Sequence, residues 1–379
     1  MKIKPKGELQ FMNKAIALAR KGSLRVSPNP LVGCVLVKED KIISEGYHQY
    51  FGGPHAEINA LRKAGIKARG STMYVNLEPC CHYGKTPPCT DAIIKSGVKE
   101  VVVGMVDPNP LVNGKGLKEL KARGIKVKLG ILREQCIKLN EPYIKYMTRG
   151  LPFVVLKSAM SVDGKIATRD GDSKWITSET SREYVKKLRS QVDAIIVGTN
   201  TVLKDNPELL SSHSGKRPIR VILDSYLRIP LDARVFNSRA PTIVATRKEA
   251  DREKIERLES RGIKVLKIPK WRKHPHRGLD LKYLMKELAK RGITSVFIEG
   301  GGKVNASLLE MGLVDKILFF IAPKIIGGEN AITPVEGEGV NKAEEAIELK
   351  HIKVRRFGKD ILFEGYISSP LSPCGRGSG

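Results

Sequence analysis

The sequence predicts an α/β protein of two domains, on three observations. Its 379 residues exceed the size at which one hydrophobic core stops growing, so the chain is expected to divide. Short apolar runs of strand length alternate with segments of helical periodicity along the whole chain, the pattern of layered α/β domains. Gly150 and Pro152 interrupt that alternation within residues 146–152. The expected domains are therefore 1–149 and 150–367, followed by a Ser-, Pro- and Gly-rich tail, 368–379, expected to be disordered.

In the first domain Met12, Ala15, Ile16 and Ala19 fall at i, i+3, i+4 and i+7, which predicts an amphipathic helix. Residues 32–37 and 42–47 flank Glu39-Asp40 and read as a hairpin. A helix over 55–64 and a strand over 71–77 follow, and Cys89 opens another helix. Residues 100–104, 117–123 and 126–129 continue the strand and helix alternation. In the second domain strands are expected at 153–157, 194–197, 220–223, 242–245, 264–268, 295–298 and 317–322, with helices among them. Gly300-Gly301-Gly302-Lys303 stands between one such strand and a helix carrying Asn305, Leu308 and Leu309. Backbone amides at such a helix start can hold a phosphate, although the run is not GxGxxG and glycine triplets are often plain turns.

Composition narrows the function. A formal net charge of +27 attracts anions, and nucleic acid is the usual partner of such a field. The basic residues are, however, scattered over predicted helix faces (Lys118, Lys121, Arg123; Lys248, Arg252, Lys254). The densest cluster, Lys270 to Arg277 with Trp271 interleaved, could serve as a strand-binding loop, but such a segment is more often a solvated connection. Phosphorylated small molecules are anions too, so a small-molecule substrate is expected and no nucleic-acid partner. Six cysteines in a chain this long do not form a disulfide framework and suit a reducing compartment. The start, Met1-Lys2-Ile3-Lys4-Pro5-Lys6, has no apolar stretch after its charges, and no run approaches the ~18 apolar residues of a membrane span. A cytoplasmic protein without membrane association is expected; a homo-oligomer is neither required nor excluded.

The chemistry lies in His55-Ala56-Glu57, Pro79-Cys80 and Cys89. One imidazole and two thiolates leave the fourth tetrahedral position of Zn²⁺ open, which separates a catalytic site from a closed structural one. A carboxylate two residues from the ligand histidine can move protons without occupying the metal. Coordination lowers the pKa of water from about 15.7 to about 7, which reduces the free energy of forming hydroxide by up to ~12 kcal/mol. Glu57 is therefore assigned to carry a proton from water to a departing amine. Cys80 and Cys89 sit in a loop too rich in Pro and Gly for core strand or helix. Within it Cys81 and His82 are the competing ligands, while Cys34, Cys136 and Cys374 read as spectators.

Several stretches carry a resemblance to one family. His55-Ala56-Glu57, the loop Leu77-Glu78-Pro79-Cys80-Cys81-His82-Tyr83-Gly84-Lys85-Thr86-Pro87-Pro88-Cys89 and Ser27-Pro28-Asn29-Pro30-Leu31-Val32-Gly33-Cys34-Val35 resemble the bifunctional deaminase-reductases of riboflavin biosynthesis. Ala159-Met160-Ser161-Val162-Asp163-Gly164-Lys165, Ser173-Lys174-Trp175-Ile176-Thr177, Asp205-Asn206-Pro207 and Glu299-Gly300-Gly301 resemble the reductase part, so the likeness covers roughly residues 8–367.

The resemblance implies a cytidine-deaminase-like three-layer α/β/α domain followed by a dihydrofolate-reductase-like α/β domain, with one Zn²⁺ per chain and NADPH as cofactors. It implies hydrolytic deamination of a phosphoribosyl pyrimidine and reduction of the ribosyl group to ribityl. Asn29, His48 and Lys85 would recognise the deaminase substrate. Ala159, Trp175, Thr201, Asp205 and Ser225, with Gly301, Gly302, Lys303, Val304, Asn305, Ala306 and Ser307, would line the NADPH site. Ser173, Arg189, Leu209 and Glu299 would meet the reductase substrate, the planar fork of Arg189 being suited to a phosphate. Lys157 and Asp205 would sit nearest the carbonyl that accepts hydride. Where the family usually has an arginine after the Asp-Asn-Pro turn, this chain has Ser211-Ser212-His213, so part of its phosphate grip is expected from elsewhere. The rival reading is a tRNA- or nucleoside-type zinc deaminase with an accessory domain, which leaves the second half without a purpose.

Overall fold

The computed structural model describes residues 6–23, 25–211, 217–271 and 278–367. It divides into two compact units between Gly150 and Leu151. Three regions singled out in the sequence, Ser212 and His213, the basic segment 272–277 and the tail 368–379, lie outside the described residues.

The first unit runs α1 (Lys6–Arg20), β1 (Gly33–Lys38), β2 (Lys41–Tyr47), α2 (Ala56–Ala64), β3 (Thr72–Leu77), α3 (Cys89–Lys95), β4 (Glu100–Met105), α4 (Lys115–Ala122), β5 (Lys126–Leu129), α5 (Arg133–Leu139) and α6 (Glu141–Arg149). Its strands form one sheet in the order β2-β1-β3-β4-β5. β1 is antiparallel to both neighbours and β3, β4 and β5 are parallel. Met12, Ala15, Ile16 and Ala19 of α1 are buried, as their spacing predicts. A Cβ on Gly33 would run into the Ala15 carbonyl, and one on Gly46 would meet the Ala60 nitrogen at 2.5 Å. Gly46 pairs with Cys34, the residue after Gly33. Successive strand residues point to opposite faces, so α1 and α2 cover opposite sides of the sheet and complete three layers. The hairpin turn holds Glu39 and Asp40 at φ 50° and 57°, the left-handed pair that a two-residue turn requires.

The second unit runs β6 (Phe153–Ser161), α7 (Glu179–Arg189), β7 (Ala194–Gly198), α8 (Thr199–Asp205), β8 (Ile219–Leu223), β9 (Thr242–Arg247), α9 (Arg252–Ser260), β10 (Lys264–Ile268), α10 (Leu281–Lys290), β11 (Ser295–Ile298), α11 (Gly302–Glu310), β12 (Lys316–Ala322), β13 (Lys350–Phe357) and β14 (Asp360–Tyr366). The nine-stranded sheet has the order β10-β9-β8-β7-β11-β6-β12-β14-β13. The first seven of these are parallel, and β14 and β13 close the edge antiparallel. Both faces are buried. Ala194, Ile196, Val296 and Ile298 join a core with Leu284 and Leu288 of α10 and Leu308 of α11. Ile195, Val197 and Phe297 join the other, with Val185 of α7, Val202 of α8 and Leu258 of α9.

Four elements were not foreseen in the sequence. Helices α5 and α6 fill the stretch before the break, and Gly150 ends α6 in the left-handed conformation of a C-cap at φ 62°. The hairpin β13-β14 was missed because β13 reads Lys-His-Ile-Lys-Val-Arg-Arg-Phe, exposed along nearly its whole length. A charged edge strand carries no apolar alternation to signal it.

Two candidate active sites

In the first unit the candidate centre gathers where strand ends meet helix starts. His55 is the N-cap of α2, Cys80 follows β3, and Cys89 is the first residue of α3. His55 Nδ1 lies 3.3 Å from Cys89 Sγ and 3.5 Å from Cys80 Sγ, and the three donor atoms lie within 4.8 Å of one another. Zinc bonds of about 2.0–2.1 Å to nitrogen and about 2.3 Å to sulfur, at the tetrahedral angle, set donors roughly 3.6 Å apart. The donor set therefore fits a zinc ion. The competing ligands do not join it. Cys81 Sγ faces the Leu111 carbonyl at 4.0 Å, and His82 only lines the neighbouring cavity. Cys34 and Cys136 are buried and free.

The electrostatics suit hydrolysis. The Cys80 thiol is held down at about 4, first by its hydrogen bond with Cys89 and then by His55. That bond to Cys80 pushes His55 up to about 8. Glu57 is 3% exposed, and burial pushes its carboxyl up to about 7, with the charge of His55 opposing. Its Oε2 is buried without a hydrogen-bond partner among the described residues. A carboxyl near neutrality can both accept and release a proton at working pH.

A cavity of about 240 Å³ opens beside this group, lined among others by Asn29, His48, Glu57, Lys85, Asp107 and Tyr143. Asn29 Nδ2 and His48 Nε2 are 3.0 Å apart, and His48 Nδ1 is 3.0 Å from the Pro54 carbonyl oxygen. Burial lowers the His48 pKa, so the ring is neutral, with Nδ1–H donating to Pro54 and Nε2 accepting from Asn29. The loop that carries Asn29 is clamped from both sides. Asn76 accepts from Gly33 N and donates to the Leu31 carbonyl, while Asn140 accepts from Leu31 N and donates to that same carbonyl. Lys85 Nζ lies 3.9 Å over the Phe51 ring.

Several residues here escaped the sequence reading. Buried Glu78 accepts from the amides of Asp107, Gly114 and Leu117 and so fixes the connection from β4 to α4. Asp107 accepts from the Tyr143 hydroxyl at 2.9 Å and from Asn109 N at 2.8 Å. The available signal was Asp107-Pro108-Asn109-Pro110, a stiff acidic loop leaving the carboxyl end of a parallel strand, where α/β sheets bind ligands.

In the second unit a cavity of about 620 Å³ lies over the carboxyl ends of β6, β7, β8 and β11. Lys157, Ala159, Ser173, Arg189, Thr201, Asp205, Leu209, Ser225, Glu299, Gly301, Gly302, Lys303, Val304 and Ser307 all line it. Three expected residues do not. Trp175 is exposed, with the Arg182 guanidinium 4.3 Å from its ring centroid. Asn305 and Ala306 are buried, Asn305 donating to the Pro334 carbonyl at 2.8 Å. A helix turns about 100° per residue, so a contiguous run such as 301–307 cannot present every side chain to one ligand.

The polar end of this cavity is a closed ion cluster. Arg189 donates from Nε to Glu299 Oε1 at 2.6 Å, from Nη2 to Oε2 at 2.9 Å, and from Nη1 to the Leu210 carbonyl at 3.1 Å. Lys157 Nζ lies 3.8 Å from Glu299 Oε2. Burial lowers the Lys157 pKa, Glu299 opposing and Arg189 adding to the fall. Ser173 donates to Asp205 Oδ1 at 3.0 Å. At the other end Gly301 caps α11. A Cβ there would find nothing nearer than Thr201 Oγ1 at 3.9 Å, so its absence leaves room on the cavity side for a phosphate to reach the helix amides.

Residues 5–105 match the cytidine and deoxycytidylate deaminase zinc-binding region, and residues 152–363 match the RibD C-terminal domain. Fold and sites thus define a zinc-binding deaminase joined to a reductase, and a reductase of this kind implies a nicotinamide cofactor. The riboflavin biosynthesis protein RibD of Aquifex aeolicus is 45% identical over 355 residues, 93% of this chain and 96% of that one. That of Actinobacillus pleuropneumoniae is 44% identical over 367 residues, 96% of each. Among solved structures, RibD of Acinetobacter baumannii gives a TM-score of 0.84 at 37% identity, covering 95% of this chain and 99% of its own. A diaminohydroxyphosphoribosylaminopyrimidine deaminase/5-amino-6-(5-phosphoribosylamino)uracil reductase of Thermotoga maritima gives 0.83 at 40%, covering 95% and 98%. The chain belongs to the RibD family of bifunctional riboflavin-biosynthesis deaminase-reductases. The second half thereby has its purpose, and the tRNA- or nucleoside-type reading loses its ground. Among the described residues no helix is long and apolar enough to cross a membrane.

Proposed function

We propose that residues 1–149 hydrolytically deaminate 2,5-diamino-6-(5-phosphoribosylamino)pyrimidin-4-one, releasing ammonia, and that residues 150–367 then reduce the ribosyl group of the product to ribityl with NADPH. The observation that carries this reading is the orphaned Oε2 of Glu57 beside a donor set of zinc geometry, in a chain whose second unit holds a cavity with a glycine-built helix start.

His55, Cys80 and Cys89 would hold the zinc. The ion supplies Lewis acidity, bringing the pKa of water to about 7. Glu57 takes up the proton at Oε2 and hands it to the departing amine. Asn29, fixed by its bond to His48, offers its side-chain oxygen to the pyrimidine edge. Lys85 faces the ribose phosphate.

In the reductase cavity the amides of Gly301, Gly302 and Lys303 meet the cofactor diphosphate, and Ala159, Thr201, Ser225, Val304 and Ser307 complete its walls. NADPH supplies the hydride. Lys157, whose lowered pKa eases proton donation, and Asp205 stand at the carbonyl. Ser173, Leu209 and Glu299 contact the sugar phosphate. Arg189, whose fork lies on Glu299 and which also lines the cavity, meets the phosphoribosyl group beside them. The enzyme would act in the cytoplasm on small molecules alone, as a monomer or a homo-oligomer.

The test is absorbance at the NADPH band with the diaminopyrimidine supplied, since oxidation there requires both halves. Ammonia release without NADPH consumption would confine the reading to the first unit; neither signal would overturn it.

A further inference from the structure

We propose that Lys204 seats the phosphate of the ribosyl substrate in the reductase cavity; the inference rests on the reduction assigned above. A phosphoribosyl group is a dianion at neutral pH, and a cavity that binds it has to offer a cation. Five cationic side chains line the wall among the described residues: Lys157, Arg189, Lys204, Arg228 and Lys303. Lys157 and Arg189 are committed to Glu299. Arg228 is tied through Nη2 to Asn200 Oδ1 at 3.0 Å, and Lys303 lies in the first turn of α11, among the glycines given to the cofactor.

Lys204 remains. It stands in the last turn of α8, one residue before Asp205, with no ion pair or hydrogen bond among the described residues. Its Nζ occupies the place where a Cβ on Gly171 would stand, so the ammonium reaches across from α8 to the turn that leads into Ser173. That turn is braced by Gly171 N donating to the Thr168 carbonyl at 2.9 Å. Ser173 in turn donates to Asp205. One hydroxyl, held on Asp205, and one unpaired ammonium, beside Gly171, thus stand on the wall of the cavity that Lys157 and Glu299 also line. The neighbouring carboxylates are otherwise occupied: Asp172 accepts from Lys174 N and Asp170 pairs with Arg169. Phosphate is the ligand that satisfies this combination, a compact cation facing a multivalent anion.

Lys204 is exposed, so its replacement should leave the fold intact. Lys204→Met keeps the aliphatic stem and removes the charge. With purified 5-amino-6-(5-phosphoribosylamino)uracil and NADPH, KM for the pyrimidine should rise about tenfold or more, as for loss of a charged hydrogen bond. The KM for NADPH should not move, and Lys204→Arg should recover most of the loss. With the dephosphorylated nucleoside, wild type and Lys204→Met should be equal. An unchanged pyrimidine KM in Lys204→Met overturns the proposal, and so does a rise confined to NADPH or an equal loss with both sugar forms. A wild-type protein that fails to oxidise NADPH with this pyrimidine instead removes the reduction itself, and the proposal with it.

Discussion

Arg189 and Glu299, 110 residues apart in sequence, are joined by two parallel hydrogen bonds of 2.6 and 2.9 Å with both side chains largely buried. Lys157 approaches the same carboxylate, so one anion holds two cations at the polar end of the reductase cavity. Breaking a buried pair from one side costs roughly 3–5 kcal/mol, because the partner is left charged and unsolvated. Glu299→Ala should therefore lower the melting temperature of the second unit and abolish NADPH oxidation while ammonia release continues. Wild-type thermal stability in that variant would show that the cluster does not hold the site together.

Glu57→Gln preserves shape and removes the proton acceptor. Zinc content should stay at one ion per chain while ammonia release falls about 10²- to 10⁴-fold. Complete chelation of zinc should stop ammonia release but leave NADPH oxidation on the preformed aminouracil unchanged. Deamination that survives either treatment would remove Glu57 or the metal from its role.

Gly301 and Gly302 should respond differently to the same change. A Cβ on Gly302 would collide with the Thr333 carbonyl, whereas one on Gly301 meets no protein atom closer than 3.9 Å. Gly302→Ala is expected to destabilise the second unit by about 1–3 kcal/mol through overpacking, measured as a lower unfolding midpoint. Gly301→Ala should fold normally and raise the KM for NADPH. Equal effects of the two on stability would argue that the space over Gly301 is not kept for a ligand.

Asp107 gives the first unit a pH dependence of definite sign. Burial raises its carboxyl to about 7, against about 3.9 in an unfolded chain. Between those values the folded unit holds a proton that the unfolded chain has released. This contribution to stability is whole below about pH 4 and is lost as pH rises through about 7. Asp107→Asn keeps an acceptor for the Tyr143 hydroxyl and removes the titration. From about pH 5 to about pH 8 the melting temperature of the variant should therefore gain on that of the wild type. A difference that stays constant with pH would show that Asp107 titrates normally.

Much of the fold was legible in the sequence because it is written in local periodicity. Strands such as Ala194–Gly198 and Ser295–Ile298 are buried on both faces and so appear as unbroken apolar runs, and α1 shows its stripe at helical spacing. The zinc donors were legible for a similar reason: His55, Cys80 and Cys89 each sit at an element boundary that Pro, Gly or a change of period already marks. Residue chemistry alone then specified three N/S donors and a carboxylate, whatever the surrounding fold.

What the sequence by itself could not determine was which groups are spent on one another. Arg189 has the form of a free phosphate ligand in the sequence and is bound to Glu299 in the fold, whereas Lys204, which nothing in the sequence singles out, is a cation on the cavity wall without a partner among the described residues. Likewise the run 301–307 is continuous in sequence, but the turn of α11 buries Asn305 and Ala306 and shows Ser307 to the cavity. Glu78 reads as one more loop acid until three amides from beyond β4 converge on it. Local pattern fixes which side of an element is apolar. Only tertiary contact decides which charges neutralise each other and which remain for a ligand, because that depends on distances between segments a hundred residues apart.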